Sequence, residues 1–233
     1  MPFIPVLKNR VFWHVFVNKR KLVKCMEEGF KFDARAMSKE PLPPGGHKMK
    51  EALKRLMKQK EFNAITTSEI AKVSGANEAL IYKYFGSKRG LLHAVLWDYL
   101  YEFIMNLDSK LRGIKGALNN LRKIIWEHIN LYETQPVIGK ILILEARNYP
   151  GFFESDVYNL IKDYTKRLRN LIDEGMRTGE IRDEIPVMTL VRVIMGTIEH
   201  VCMTKVVFAR EISADDLTEE VCSILFDGIA KTE

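Results

Sequence analysis

One stretch, residues 64–92, constrains the fold more than any other part of this 233-residue chain. Thr66 lies three residues before Glu69, which is the spacing of a capping box, where each side chain bonds the other's free backbone N–H at a helix start. Gly75 interrupts the helix that follows, and glycine tolerates the positive φ that a tight turn between helices needs. Asn77 is a favourable N-cap for the next helix. The stretch therefore predicts two short helices joined by a tight turn and followed by a third helix.

Two short helices joined by a glycine turn form the helix-turn-helix layout, in which the second helix enters the major groove of DNA. Many packed helix pairs meet at similar corners, so the spacing alone leaves a purely structural role open. The charge distribution favours the DNA-binding interpretation. Residues 1–92 hold 19 Lys/Arg against 8 Asp/Glu, whereas residues 93–233 hold 17 against 22. A basic N-terminal part joined to an acidic remainder is typical of a nucleic-acid-binding domain with a second domain attached.

The run TTSEIAKVSG, followed by IYKYFGSKRGLL, resembles the N-terminal signature of TetR-family repressors. The match covers residues 48–92, and the remainder of the chain agrees with the family in length and helix pattern. The resemblance implies an all-α protein. Its N-terminal three-helix DNA-binding domain would contain the helix-turn-helix, and its larger C-terminal helical domain would bind a ligand and form the dimer. It further implies a homodimer on a palindromic double-stranded DNA operator, a small-molecule inducer and a cytoplasmic location.

The predicted DNA contacts lie on the two helices of the motif and at the start of the third. Asn77 begins the second helix, whose first turns reach base edges in helix-turn-helix proteins. The resemblance implies base or groove contacts from Thr67, Ser68, Glu78, Ala79 and Lys83. Hydroxyl and ammonium groups suit phosphate oxygens, and the resemblance implies phosphate contacts from Thr66, Tyr82, Tyr84 and Lys88.

Three features of this region depart from the family pattern or constrain it. Glu78 stands where a basic or small residue is common, and an acid there can accept a hydrogen bond from cytosine N4. Tyr82 and Tyr84 are two positions apart and cannot share one helix face, so at least one should be exposed. Arg89-Gly90 replaces the usual acidic pair, so the third helix is expected to fray at its start.

We predict three segments along the chain. Residues 1–46 form a basic extension that ends in a linker, because the repeated prolines and paired glycines of residues 41–46 do not suit a helix. Residues 47–92 form the DNA-binding domain, and residues 93–233 form the ligand-binding and dimerisation domain. Family members usually have only a short arm before the first helix. Translation from Met37 is therefore the preferred interpretation, which would make the preceding residues dispensable, and a true extra arm is the alternative.

Besides the two short helices of the motif, hydrophobic periodicity predicts seven helices and no strand. They span residues 48–60, 87–110, 118–133, 137–147, 155–175, 186–208 and 213–230. Residues 186–208 are apolar nearly all round, and such a helix needs burial on every side. Residues 155–175 and 186–208 are therefore expected to form a four-helix interface with the same pair from a second subunit. No apolar run reaches the ~18 residues of a membrane span, so no membrane partner is expected.

No arrangement of residues suggests catalysis or metal binding. The five histidines form no H-x-x-x-H pair, and neither a Ser/His/Asp set nor a Gly-rich phosphate loop is visible. The odd count and wide spacing of Cys25, Cys202 and Cys222 indicate a reducing compartment rather than a disulfide framework or a zinc site. We predict no metal, no cofactor and no enzymatic activity. The rival class is an α-helical enzyme or scaffold that carries a helix-turn-helix, and it would need polar groups converging in one cavity.

The second domain is rich in large apolar residues, as a pocket between helices requires, although any one of them can equally belong to the core. The predicted ligand contacts are Phe103, Trp126, His128, Tyr132, Arg147, Met195 and Glu199. The runs YETQPVIGKILILEARNYPGFF and MGTIEH are similar to TetR-type regulators of fatty-acid breakdown, which respond to acyl-CoA.

Two kinds of inducer stay open at this point. A basic mouth would suit the anionic head of an acyl-CoA, and the candidate bases are Lys140, Arg147, Lys162, Lys166, Arg167 and Arg169. The same bases could instead pair with Asp163, Asp173 and Glu174 on a solvated face. A lipophilic cation, the alternative inducer, would prefer acids near the pocket such as Glu127, Glu145 or Glu199.

Overall fold

The computed structural model describes residues 42–229, which form nine α-helices. The all-α prediction is confirmed. The helices are α1 Pro44–Met57, α2 Thr67–Ser74, α3 Ala79–Phe85, α4 Lys88–Leu111, α5 Ala117–Thr134, α6 Pro136–Lys140, α7 Asp156–Thr178, α8 Val187–Phe208 and α9 Ala214–Ile229. The expectations for the extension, for Met37 and for Cys25 lie outside the described residues, as does the end of the last predicted helix.

The helix-turn-helix is built from the predicted local signals. The Thr66 hydroxyl accepts from the Glu69 N–H at 3.1 Å, and Glu69 Oε2 accepts from the Thr66 N–H at 2.8 Å, so the capping box is confirmed. Gly75, at φ 64°, ends α2 in the left-handed conformation. The Asn77 side chain accepts from the Ala79 N–H at 2.9 Å at the entry to α3. These local bonds fix the start of α2, its end and the entry to α3.

Helix α1 begins earlier than the sequence predicts. It starts at Pro44, so the predicted linker is wrong for its last three residues. Proline suits the first turn of a helix because the N–H it lacks would have no partner there and its φ is already helical. Gly46 is buried beside Leu42, where a Cβ would lie 2.6 Å from the leucine side chain. The two glycines therefore permit close packing at the start of α1.

Helix α4 runs from the helix-turn-helix into the second domain. The Ser87 hydroxyl accepts from the Gly90 N–H at 2.9 Å, so the start of α4 is capped and the expected fraying is wrong. A Cβ at position 90 would overlap the carbonyl oxygen of Phe85, which explains the glycine. The first turns of α4 bury Leu91 and Leu92, and its last turns bury Leu107. One rigid helix thus contributes to both domains.

A single hydrophobic core joins the DNA-binding domain to the segment that precedes α7. It contains buried residues of α1 to α4 together with Ile138, Ile141, Leu142, Ala146, Phe152 and Val157. Residues 42–229 accordingly form one compact unit rather than separating near residue 92. A displacement of the segment from 138 to 157 would therefore disturb the packing of the DNA-binding helices.

Helix α8 is apolar on both its inner and its outer side. One side buries Leu190, Ile194 and Ile198 within the subunit. An 18-residue stretch of this 22-residue helix has a mean hydropathy of 1.3, so by length and composition alone the helix could cross a membrane. This is weak evidence, because a helix that packs on its own domain and on a second subunit passes the same test.

Candidate DNA interface and ligand site

The motif presents most of the predicted DNA contacts to solvent. Thr66, Ser68, Asn77, Ala79, Tyr82 and Lys83 are exposed, and Thr67, Glu78 and Tyr84 are half-buried. Tyr82 is 56 % exposed, so the expectation that at least one tyrosine faces outward is confirmed. Tyr84 packs edge-on against the ring of Phe85, at 6.3 Å between ring centroids. The DNA contacts themselves remain predictions.

Lys88 has internal partners that the sequence did not suggest. Its ammonium donates to the carbonyl of Ile65 at 2.6 Å and to that of Phe62 at 3.1 Å. It also lies 4.5 Å from the centroid of the Phe62 ring. Partial burial and the neighbouring charge of Arg89 lower the pKa of Lys88. An ammonium has three donors, so a phosphate contact would use the one that these bonds leave, and the main visible role of Lys88 is to position the turn before α2.

The start of α2 is also held by an ion pair. Glu69, already part of the capping box, accepts a hydrogen bond from the ammonium of Lys60. The bond from Lys60, followed by that from the Thr66 N–H, lowers the pKa of Glu69 to about 2. The carboxylate therefore stays ionised throughout the physiological range, and α2 has a fixed starting point.

Three aromatic side chains form a cluster between α4, α5 and α7, in which His128 and Tyr164 are buried and Phe103 is half-buried. His128 Nε2 and the Tyr164 hydroxyl are hydrogen-bonded at 2.6 Å, and the ring of Phe103 lies 4.9 Å from that of His128. Burial lowers the pKa of His128 to about 4, so its imidazole is neutral at pH 7. Tyr164 was absent from the predicted ligand contacts. The only signal for it was its helical spacing, which marks a core position rather than a site.

A second group of predicted ligand residues meets around Glu199. The guanidinium of Arg147 donates to both carboxylate oxygens of Glu199, at 2.8 and 2.5 Å. These bonds raise the pKa of Arg147. Glu199 also lies close enough to His128 and Tyr132 to affect the pKa of each, although burial dominates both shifts. Met195 stands one turn before Glu199 on α8 and is half-buried. The structure thus brings five predicted residues into one region of the second domain.

The structure does not bring Trp126 to this region. Its indole N–H donates to Asp215 Oδ1 on α9 at 2.6 Å, and the ammonium of Lys123 lies 4.1 Å from its ring centroid. Trp126 lines a groove of about 470 Å³ between α5 and α9. Positions 126 and 128 are two apart on α5 and point to different faces. Trp126 therefore lies apart from the other predicted ligand contacts, and its own ligand contact stays a prediction.

The predicted basic mouth is mostly neutralised in this structure. Four of the six bases have acidic partners: Lys140 with Glu61, Arg147 with Glu199, Arg167 with Asp108 and Arg169 with Asp173. The acids that a cationic ligand would need are paired as well. Glu127 bonds to Lys110 and Lys123, and Glu145 accepts from Asn63. A ligand charge that binds at one of these paired residues would therefore have to replace an existing partner.

Burial contradicts the expected pairing of helices at the dimer interface. The side chain of Leu168 on α7 is only 2 % exposed, and the outward side of α7 is polar. Large apolar side chains are instead exposed on α8 and α9, with Ile224 of α9 at 75 %. The others are Val193, Val207 and Phe208, all on α8. An apolar contact with a second subunit therefore suits α8 and α9, and α7 serves the interior of its own domain.

Comparison with known proteins agrees with this architecture. Residues 51–95 match the family of bacterial regulatory proteins called the tetR family, and residues 97–228 match the C-terminal region of YsiA-like protein. The fatty acid metabolism regulator protein of Bacillus subtilis strain 168 is 24 % identical over 168 residues, which cover 72 % of this chain and 87 % of that relative. The uncharacterised helix-turn-helix regulator YvaF of the same organism is 26 % identical over 183 residues, covering 77 % and 92 %.

Solved structures show the same fold. The fatty acid degradation regulator FadR from Bacillus halodurans superposes with a TM-score of 0.71 at 20 % identity, covering 81 % of this chain and 98 % of that one. FadR from Bacillus subtilis in complex with stearoyl-CoA gives 0.71 at 23 % identity, covering 78 % and 98 %. Because the two family matches together span nearly all of the described residues, this chain belongs to the tetR family of bacterial regulatory proteins and is a DNA-binding regulator of transcription.

Proposed function

We propose that this regulator is a homodimeric, cytoplasmic repressor that binds a palindromic operator and releases it when a long-chain acyl-CoA enters the second domain. The observation that carries the proposal is the aromatic cluster of Phe103, His128 and Tyr164 beside the Arg147–Glu199 pair. Apolar walls with a few well-placed polar groups are typical of small-molecule sites. A fatty chain suits the walls, and an anionic head suits Arg147. The similarity to a regulator solved with stearoyl-CoA supports this ligand class.

The operator would bind to the exposed face of the helix-turn-helix. The first turns of α3 would enter the major groove with Asn77, Glu78, Ala79 and Lys83 toward the bases. Thr66, Tyr82 and Tyr84 would contact phosphates and set the register. Glu78→Gln should change which operator sequence is preferred, because a carboxylate accepts only and an amide also donates. Tyr82→Phe should weaken binding to all sequences about equally. Binding to a panel of operator variants separates the two effects.

The two subunits of the dimer would contact each other through α8 and α9. Two copies would bury Val193, Phe208 and Ile224 against each other, at roughly 25 cal/mol per Å² of apolar surface. The pair would place two α3 helices in successive major grooves, about 34 Å apart. A ligand that favours a different separation lowers DNA affinity by shifting the population of dimers. The ligand therefore releases the operator if it binds more tightly to the dimer in which the two α3 helices do not fit successive major grooves.

Titration of the protein–operator complex with stearoyl-CoA tests the function. The duplex is the DNA upstream of the protein's own gene, and a gel shift reports release. We expect release at micromolar stearoyl-CoA and none by free CoA, because the fatty chain provides the apolar burial. Phe103→Ala should raise the concentration needed, whereas Met105→Ala, at an exposed position of the same helix, is the matched control. Release by free CoA, or no release by any acyl-CoA, would contradict the proposal.

A repressor that responds to lipophilic cations is the second candidate. It has less support, because the similar regulator solved with a ligand holds stearoyl-CoA, which is an anion. Release by such cations alone would favour it. We propose no enzymatic activity for the chain, since its relatives are regulators of transcription.

A further inference from the structure

The residues from 136 to 154, here called the coupling segment, connect the second domain to the DNA-binding domain through side chains. Lys140 Nζ lies 2.7 Å from Glu61 Oε1. The Asn63 amide donates to both carboxylate oxygens of Glu145, at 3.1 Å each. The guanidinium of Arg89, at the start of α4, lies 5.0 Å from the ring centroid of Tyr149. The coupling segment therefore contacts the turn between α1 and α2 and the first turn of α4.

The turn of residues 61–65 lies directly before the helix-turn-helix. Lys88 holds its two carbonyls, as described above, and Arg89 lies 5.3 Å from the ring centroid of Phe62. The next residue is Thr66, the cap of α2. Any displacement of this turn therefore moves the start of α2. Two side chains of the second domain, those of Lys140 and Glu145, contact this turn and can displace it.

The other end of the coupling segment is bonded to α8. Arg147 follows Glu145 by two residues, and its guanidinium makes the bidentate pair with Glu199. Tyr132 and Tyr158 lie close enough to Arg147 to affect its pKa. The side chains of this pair are partly exposed, at 39 % for Arg147 and 21 % for Glu199, so a ligand can reach them. The coupling segment thus links a ligand-accessible ion pair to the turn before α2.

The backbone between the two ends is wound irregularly. Residues Ile141–Ala146 form a π-helix, which is rare and is frequently found at functional sites. A π-turn contains one residue more than an α-turn, so a return to α-helical winding rotates the residues that follow. Glu145 and Arg147 would then change direction together. Such a discrete change is the kind of two-state element that coupling between distant sites requires.

We propose that Arg147 recognises an anionic group of the ligand by exchanging Glu199 for it, and that the coupling segment transmits this exchange to the turn of residues 61–65. The planar guanidinium binds carboxylates and phosphates bidentately, so a ligand anion can replace the Glu199 carboxylate with the same geometry. The direction of the effect rests on the proposed function. Because the proposed ligand releases DNA, the state in which Arg147 is paired with Glu199 is the one that binds the operator.

Glu199→Gln tests the proposal without any ligand. The amide has nearly the same size but has lost the charge that holds Arg147. We expect operator affinity to fall by roughly 5- to 150-fold, the usual range of coupling between two sites. Amide hydrogen exchange should become faster at residues 61–66, which lie in the other domain. Asp173→Asn, which removes the Arg169–Asp173 pair on the surface of α7, is the matched control and should change neither.

Further variants separate coupling from a general loss of structure. Arg147→Lys keeps the charge but loses the bidentate geometry. It should show the same fall in operator affinity and the same faster exchange at residues 61–66, and it replaces Glu199→Gln as the test if that variant does not fold. The double variant Glu61→Gln/Asn63→Ala removes the contacts at the other end from the side of the DNA-binding domain. It should bind stearoyl-CoA as the wild type does but need at least five times more of it for release.

Two results would overturn the inference. One is a folded Glu199→Gln or Arg147→Lys protein with wild-type operator affinity and wild-type exchange at residues 61–66. The other is a double variant that is released as easily as the wild type. If stearoyl-CoA has no effect on the wild type, the proposed inducer is wrong, yet the ligand-free measurements still decide whether the Arg147–Glu199 pair controls the DNA-binding domain.

Discussion

Acidification should destabilise this protein through His128 more than through any exposed histidine. The imidazole is buried and hydrogen-bonded to Tyr164, and burial lowers its pKa from 6.5 to about 4. The nearby carboxylates of Glu199 and Glu127 oppose this shift without cancelling it. In the unfolded chain the same imidazole regains its ordinary pKa. The unfolded state therefore binds more protons between these two values, and stability is lost as the pH falls through that window.

The magnitude follows from the two pKa values. Between pH 7 and pH 5 the unfolded imidazole becomes almost fully protonated, while the native one remains mostly neutral. The linkage relation then gives a loss of about 2 kcal/mol in the free energy of unfolding. Urea denaturation at pH 7 and pH 5, at one fixed protein concentration, measures the loss. The fixed concentration matters because the stability of a dimer depends on it.

His128→Gln isolates the contribution of this residue. Glutamine can still bond to the Tyr164 hydroxyl but does not titrate, so the variant should lose about 2 kcal/mol less than the wild type over the same range. His47→Gln, at an exposed position of α1, is the control and should follow the wild type. Parallel curves for the wild type and His128→Gln would refute the reasoning, since they would mean that His128 is protonated equally in both states.

Two further predictions concern the motif and the dimer. Thr66→Ala removes the capping box and should lower stability by about 1 kcal/mol in thermal unfolding without DNA, whereas Ser68→Ala, on the exposed side of the same turn, should have little effect. Ile224→Asp should give a folded monomer in sedimentation, because it places a charge on the exposed side of α9. Leu168→Asp should instead unfold the protein, since the charge would lie in the core. A folded Leu168→Asp monomer, or an Ile224→Asp dimer, would contradict this assignment.

Tertiary contacts changed the interpretation of several residues that the sequence had singled out. Lys88 resembles a phosphate ligand in sequence, yet its ammonium reaches carbonyls 23 and 26 positions away. Arg147 and Glu199 were predicted as separate ligand contacts, and a fold that joins residues 52 positions apart makes them a pair. Trp126 was grouped with His128 by composition, although the packing of α5 on α9 separates them. Periodicity marked α7 as amphipathic but could not say whether its apolar side faces the subunit interior or a partner.

The sequence by itself determined the positions of most helices and the capped helix-turn-helix, because these depend on groups within a few positions of each other. The Thr66–Glu69 box, the left-handed Gly75 and the apolar periodicity of α7 act over one or two turns of backbone. The tertiary structure alone decided the ion pairs, the face that each helix exposes and the π-helix of the coupling segment. Those features depend on which distant side chains meet, and an ion-pair partner leaves no local pattern in the sequence.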